Sequence, residues 1–331
     1  MKLWRKTPPP LPPPPLAIWE PLPSEFFHQP APVVRNRPWL HLLLFALTLF
    51  SMTAAGAMQQ GVDPLADLQS LIHLGEGIPF AVALLGILTV HEFGHYFAAR
   101  RWGLKVSFPY FLPMLHYLSL LGTLGAVIRL RSPIPHKRAL LDIGAAGPLA
   151  GFVVALVACG VGLSQSAVVA TGYFHPELQQ APIQLGAPLL FSALSTLILP
   201  DHAADQLVLL SPVAFAGWVG LFITAFNLFP VGQLDGGHIV YALFGRRHRA
   251  IGRLAFAILL AMGIYGILSL VWNWPQGWPG WLGLALFLAL FGKGHPTPAD
   301  PETPLDARRR LVGYACLAVF ALCFTPVPFS S

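Results

Sequence analysis

The sequence predicts an all-α, polytopic membrane protein with about seven transmembrane helices and a small membrane-associated β-hairpin or sheet between the second and third spans. Charged residues make up 10% of the 331 residues, hydrophobic residues make up 55%, and the mean hydropathy is +0.63. A soluble globular domain has about 25% charged residues, so an ordinary soluble enzyme is excluded. The apolar residues also fall in long runs, and the lysines and arginines fall in alternate loops between them.

Net charge and cysteine content exclude two further classes of protein. The net charge is +6, but the basic residues form short clusters and no long basic face, so we expect no nucleic-acid partner. The three cysteines all lie in apolar runs and form no CxxC pair, which argues against a disulfide framework and a thiolate metal site. They are Cys159, Cys316 and Cys323.

The N-terminal segment differs from the rest of the chain. Residues 1–38 include the prolines 8–10 and 12–15, and a segment of this kind neither forms a helix nor buries much apolar surface. We expect a disordered cytoplasmic arm that acts as a linker, with docking to a partner as the alternative. Residues 39–327 are expected to form one integral membrane domain.

Seven apolar runs indicate the spans. Several approach the roughly 20 residues that cross about 30 Å of hydrocarbon, whereas the sixth is short. A further run at 189–199 is too short to span and is typical of a re-entrant or interfacial element. The seven runs are 39–58, 77–99, 139–163, 212–231, 254–272, 281–291 and 311–324.

The basic residues predict the orientation. All 20 lysines and arginines lie before the first span or in the loops after the second, fourth and sixth, and the loops 59–76, 164–211 and 273–280 contain none. The positive-inside rule therefore places the N-terminus in the cytoplasm and the C-terminus outside.

The second span contains the pattern His91-Glu92-Phe93-Gly94-His95. Positions i and i+4 share a helix face, so both imidazoles can bind one metal ion, and Glu92 is placed to accept a proton from water that the metal activates. The alternative is a pair of helix histidines beside an unrelated acid. Ionisable groups at membrane depth are costly, which favours the metal site.

A third ligand is needed, because catalytic zinc sites usually have three protein ligands. Asp235 lies where Pro230, Gly232 and the following glycines interrupt a regular helix, so its side chain can point inward. Counted back from the nearest arginines, His91 and Asp235 both lie roughly 13–17 Å from the same membrane face. The alternative for Asp235 is a helix cap near the surface.

These motifs resemble the two signatures of the site-2 protease family of intramembrane zinc metalloproteases, namely HEFGH at 91–95 and NLFPVGQLDGG at 227–237. The similarity covers about residues 77–240 and includes the small-residue stretch at 144–151. The stretch 122–126 and the C-terminal spans look more like the EGY-type members than the PDZ-bearing ones. The family's usual second proline in the later motif is replaced by Gly232, a change that EGY-type members often share.

The resemblance implies a role for each motif residue. His91, His95 and Asp235 would bind one zinc ion per chain, and Glu92 would be the general base. Asn227 would bind the substrate backbone or stabilise the oxyanion. The residue types alone leave open that the Asn227 amide only pairs with another helix.

Residues 105–131 are rich in aromatic, β-branched and glycine residues and contain Pro109 and Pro113. We interpret them as a β-hairpin whose edge could pair with an unwound substrate. An interfacial loop with an amphipathic helix is the alternative.

The leading functional hypothesis is a zinc-dependent intramembrane endopeptidase that cleaves single-span membrane proteins near the cytoplasmic side, in a bacterial cell membrane. Its partners would be the substrate's transmembrane segment and the lipid bilayer. The alternative is a non-proteolytic membrane zinc-binding protein or metal transporter, although no internal repeat typical of transporters joins the two halves.

Overall fold

The computed structural model describes residues 37–170, 184–201, 206–272, 274–291 and 298–330. The expected N-terminal arm lies outside the described residues, apart from residues 37 and 38. The described α-helices are α1 (Pro38–Gln59), α2 (Ile78–Arg101), α3 (Lys137–Ser164), α4 (Leu189–Ile198), α5 (Pro212–Asn227), α6 (Asp235–Phe244), α7 (His248–Trp272), α8 (Gly280–Phe291) and α9 (Ala307–Cys323). The strands are β1 (Tyr110–Pro113), β2 (Thr123–Val127), β3 (Ala167–Ala170), β4 (Gln184–Leu185), β5 (Gln206–Leu209) and β6 (Phe329–Ser330).

Four helical segments of the described chain are long and apolar enough to cross a membrane. They are α1, α2 with the 3-10 helix that precedes it, α3, and α6 joined to α7 by a 3-10 turn. The remaining predicted spans form helices of 16, 12 and 17 residues, below the roughly 20 that cross the hydrocarbon. A mostly helical protein with several spans is therefore confirmed, and the count of seven stays a prediction.

The fourth predicted span, 212–231, is wrong at its C-terminal end. Helix α5 ends at Asn227, and a turn separates it from α6. Pro230 has no backbone N–H to donate. Gly232 adopts a φ of +58°, a backbone conformation that residues other than glycine rarely adopt. The apolar run continues through this turn, which is why hydropathy alone extended the helix.

Helices α2, α3 and α5 pack together through small residues. A Cβ atom at Gly217 of α5 would lie 2.6 Å from the Cys159 backbone nitrogen of α3, and one at Gly162 would lie 2.0 Å from the Ala214 nitrogen. Because these positions lack side chains, the two backbones approach closely, as is common between membrane helices. This packing fixes the relative positions of the three helices that carry or border the candidate site.

The predicted hairpin between the second and third spans is confirmed as β1 and β2, which pair antiparallel. It runs along α1: Nδ1 of His41 donates to the Pro109 carbonyl at 3.0 Å, and Nε2 of Gln59 donates to the Leu120 carbonyl at 2.7 Å. These two α1 residues are about 27 Å apart along a helix axis. The hairpin therefore lies at the depth of a candidate span, where the non-helical backbone is covered on one side by α1.

Two more two-stranded sheets, which the sequence did not predict, form between distant segments. Strand β3 pairs antiparallel with β5, and β4 pairs antiparallel with β6 near the C-terminus. Each pairing joins residues that are far apart in the sequence, so no local pattern indicates it.

Candidate metal centre

Helix α2 supplies three of the predicted site residues. His91 and His95 are one helical turn apart, their rings are T-shaped to each other, and their Nε2 atoms lie 3.1 Å apart. His91, Glu92 and His95 are all buried. Counted from Arg101 at the C-terminal end of α2, His95 lies about 9 Å and His91 about 15 Å along the helix axis. The pair is therefore inside the length of a candidate span.

Asp235 reaches the histidines because a tight turn precedes it. The Val231 N–H donates to the Phe229 carbonyl at 2.8 Å, and α6 begins at Asp235 itself. A Cβ atom at Gly236 would lie 1.9 Å from the Leu228 carbonyl oxygen, so this turn requires glycine there. The interruption predicted from the sequence thus redirects Asp235 toward α2.

The three predicted ligands converge. Asp235 Oδ2 lies 3.2 Å from His95 Nε2 and 3.6 Å from His91 Nε2, and all three ligand atoms lie within 4.8 Å of one another. Atoms about 2.1 Å from a zinc ion at tetrahedral corners would be about 3.4 Å apart. With both Nε2 atoms unprotonated, three electron-pair donors this close repel one another unless a cation lies between them. The ligand set therefore fits a tetrahedral metal site with one open position.

Helix α3 orients His95. The Nδ1 atom of His95 donates to the Ile143 carbonyl at 2.7 Å, which leaves the Nε2 lone pair available for a metal. Two glycines of α3 make room for the rings: a Cβ atom at Gly147 would lie 2.1 Å from His95 Nε2, and one at Gly151 would lie 3.0 Å from His91 Cβ. The small-residue stretch of α3 is therefore part of the metal centre.

An ion pair fixes the start of α3 next to this carbonyl. Arg309 of α9 binds Asp142 with two hydrogen bonds, Nε to Oδ1 at 2.9 Å and Nη2 to Oδ2 at 2.8 Å. The Trp102 indole donates to the same carboxylate at 3.2 Å, and the Arg309 guanidinium lies 5.6 Å from the Trp102 ring centroid. Asp142 immediately precedes Ile143, so α9 positions the carbonyl that orients His95.

We expect Arg309→Ala to weaken zinc binding about 10-fold, because groups that position a metal ligand contribute about 10–100-fold in affinity. Zinc retention against a graded chelator, measured on the folded protein, would check this. Arg308→Ala is the matched control, because Arg308 is an exposed neighbour on the same helix turn. Equal zinc retention in both variants would contradict a positioning role for Arg309.

Glu92 and Asn227 lie at the same centre. The Glu92 carboxyl lies near the Ile128 backbone amide, just past the end of β2. The Asn227 amide nitrogen, at the end of α5, lies 3.4 Å from His91 Nε2. The structure thus brings all five predicted residues together, and their individual roles stay predictions.

Three contributing residues were not predicted as part of the site. They are Gly147, Asp142 and Arg309, and none of them belongs to a sequence motif that is typical of a metal site. The spacing of Gly144, Gly147 and Gly151 does indicate close approach of another helix. Nothing local links Arg309 to Asp142, because 167 positions separate them.

Comparison with known proteins gives the chain its relatives. The sequence profile of Peptidase family M50 matches residues 79–270. A rice protein (Oryza sativa subsp. japonica) named "Probable zinc metalloprotease EGY1, chloroplastic" is 34% identical over 267 residues, which cover 74% of this chain and 45% of the rice protein. The Arabidopsis thaliana protein of the same name is 33% identical over 320 residues, which cover 90% of this chain and 55% of the Arabidopsis protein. "Probable zinc metalloprotease EGY2, chloroplastic" of Arabidopsis thaliana is 29% identical over 295 residues, which cover 87% of this chain and 48% of that protein.

The matched region contains every residue of the candidate centre that the sequence predicted. The chain spans about half the length of the curated relatives it matches. These relatives are named zinc metalloproteases, and two imidazoles with one carboxylate are a ligand set that zinc prefers. Zinc is therefore the metal that this site fits.

Proposed function

Because the chain belongs to Peptidase family M50, we propose that it is a zinc-dependent intramembrane endopeptidase that cleaves transmembrane segments of single-span membrane proteins. One observation carries the proposal. A complete set of three zinc ligands and an adjacent carboxyl group lies within the length of candidate spans, with His91, Glu92 and His95 buried and Asp235 partly buried. An arrangement of this kind is costly at membrane depth and is typical of a functional site.

Each side chain of the site has its own role in peptide hydrolysis. His91, His95 and Asp235 hold the zinc ion, which when bound polarises the scissile carbonyl and lowers the pKa of water. Glu92 accepts a proton from the attacking water at its carboxylate and delivers it to the leaving nitrogen. The Asn227 amide donates to the substrate backbone or to the oxygen that develops negative charge.

The hairpin supports a way of presenting the substrate. A transmembrane helix hides its peptide bonds in its own hydrogen bonds, so the segment must unwind before it can be cut. The Ile128 amide beside Glu92 places the end of β2 next to the reacting groups. An unwound segment that adds to the β2 edge as a further strand would have its backbone held there.

The charge distribution supports cleavage near the cytoplasmic side. Arg100 and Arg101 lie in the last turn of the site-bearing helix and Lys105 follows it, and the positive-inside rule assigns such a cluster to the cytoplasm. By the same rule the N-terminus is cytoplasmic. The relatives are named as chloroplast proteins, so they do not support the bacterial cell membrane expected from the sequence.

Metal removal tests the proposal. We expect a zinc chelator to abolish cleavage of a single-span protein in reconstituted vesicles and added zinc to restore it, because the proposed hydrolysis needs the metal to activate the attacking water. Asp235→Asn is expected to retain less than one zinc per chain, because it replaces the anionic ligand with a neutral amide. The measurements are fragment yield by mass spectrometry and zinc per chain by elemental analysis.

The same vesicles discriminate the alternative function. Zinc movement across the vesicle membrane without any peptide product would support a transporter and contradict the protease. Cleavage that continues at full rate in the metal-free protein would contradict both the zinc site and the mechanism.

A further inference from the structure

A large cavity lies behind the turn that precedes Asp235. Its volume is about 1420 Å³, and the turn residues Pro230, Val231 and Gly232 form one wall. Helices α6 and α7 and the end of α8 form most of the remainder. None of the proposed zinc ligands lines this cavity, so it is distinct from the metal centre.

The lining of this cavity carries excess positive charge. Among the described residues, four cations line it, against a single carboxylate, that of Glu302; the cations are Lys137, Arg246, Arg249 and Arg253. Within the described chain, none of these four cations forms an ion pair. Arg249 and Arg253 are four residues apart on α7 and therefore share one helix face. Cations gathered around a cavity without an ion-pair partner create a strong local potential for an anion.

The cavity is also partly apolar. Val231, Val240, Phe256 and Leu288 contribute to its lining alongside the basic residues. A free inorganic anion would satisfy the arginines but would leave this apolar surface uncovered. An anionic phospholipid satisfies both, because its phosphate matches the guanidinium groups and its glycerol and acyl region matches the apolar wall.

The position of the cavity also favours a lipid. The arginines lie in the 3-10 turn and the first two turns of α7, within the long apolar segment Asp235–Trp272. Basic pockets between membrane helices at the membrane surface commonly bind anionic headgroups. The occupant is therefore available from the bilayer itself.

We propose that this cavity binds an anionic phospholipid, with its phosphate against Arg246, Arg249 and Arg253. The bound lipid packs against the Pro230–Gly232 turn, which precedes Asp235 in the chain. Gly237 also lines the cavity, and a Cβ atom at this position would lie 2.4 Å from the Gly232 carbonyl. Because the turn residues Pro230, Val231 and Gly232 form one wall of the cavity, we expect a bound lipid to stabilise the turn that presents Asp235.

Native mass spectrometry tests the lipid site without any measurement of proteolysis. The purified full chain is incubated with phosphatidylglycerol or phosphatidylcholine, and the bound lipids are counted. Each basic residue near an anionic surface contributes about five-fold in affinity, so Arg249→Gln/Arg253→Gln should weaken phosphatidylglycerol binding about 25-fold. Arg249→Lys/Arg253→Lys should restore most of it, because charge is kept.

A matched control removes the same charge elsewhere. Arg308→Gln/Arg310→Gln deletes two exposed arginines from the first turn of α9, outside the cavity, and should leave lipid binding unchanged. Equal binding of both lipids, or equal losses in the two double variants, would overturn the site. Displacement of the lipid by equimolar inorganic phosphate would instead identify a free-anion site.

The rate of zinc release tests whether the bound lipid stabilises the turn that precedes Asp235. Zinc should leave the protein more slowly in phosphatidylglycerol vesicles than in phosphatidylcholine vesicles, and the difference should vanish in Arg249→Gln/Arg253→Gln. Equal zinc release in both lipids, with lipid bound, would overturn the stabilisation of the Asp235 turn. Because neither readout is cleavage, failure here is distinguishable from failure of the proposed protease activity.

Discussion

Replacing Glu92 with glutamine is expected to abolish peptide cleavage while one zinc ion stays bound per chain. Glutamine keeps the size of glutamate, but it cannot take a proton from water. General acid–base catalysis typically contributes about 10²–10⁴-fold, and Glu92 serves here both as base and as acid. The measurements are the rate of fragment formation and the zinc content of the same sample.

Glu76→Gln is the control for this change. Glu76 is exposed in the 3-10 helix before α2, where it pairs with His73 at 2.7 Å, away from the metal ligands. This variant should cleave at the wild-type rate. If Glu92→Gln retains full activity, Glu92 is not the proton carrier. If it loses zinc together with activity, the Glu92 carboxylate is needed to hold the metal, which contradicts a role limited to proton transfer.

Gly147→Ala is expected to displace zinc and abolish cleavage although it adds one methyl group to a helix. The new Cβ would lie 2.1 Å from His95 Nε2 and 2.3 Å from His95 Cδ2, far inside any van der Waals contact. The His95 ring cannot tilt away freely, because its Nδ1 atom is hydrogen-bonded to the Ile143 carbonyl, which lies on α3 together with Gly147. Either the imidazole or α3 must move, and both movements separate His95 from the other ligands. Zinc affinity by chelator competition measures the effect.

Gly160→Ala on the same helix separates this clash from general effects of alanine. A Cβ atom at Gly160 would meet nothing within 4 Å. Glycine to alanine within a helix is favourable by about 0.5–1 kcal/mol, so this control should be at least as stable as wild type and fully active. Normal zinc binding by Gly147→Ala would show that α3 does not lie against His95 as described.

Local chemistry made the metal ligands predictable from the sequence. His91 and His95 follow from the i, i+4 spacing on one helix, and Asp235 follows from its depth and from Pro230 and Gly232, which break the helix. The hairpin followed from the density of β-branched and aromatic residues around Pro109 and Pro113. In each case a short stretch of sequence carries the physical reason.

Long-range features were not predictable in this way. The Arg309–Asp142 ion pair and the β4–β6 sheet join segments with no common local pattern. The number of spans is a different case, because hydropathy does not report where a helix ends. The apolar run 212–231 continues past Asn227, yet α5 ends at this residue, whose amide nitrogen lies 3.4 Å from His91 Nε2.

The most direct test of the central claim is to map where a substrate is cut. Single-span membrane proteins that copurify with Glu92→Gln would be incubated with the zinc-loaded wild-type chain, and the masses of the fragments would locate the cleaved bond. We predict one cut within the apolar segment of the substrate, near its cytoplasmic end, and no cut by Glu92→Gln. Cleavage only in a soluble segment, or equal cleavage by both proteins, would contradict an intramembrane protease built on His91, His95, Asp235 and Glu92.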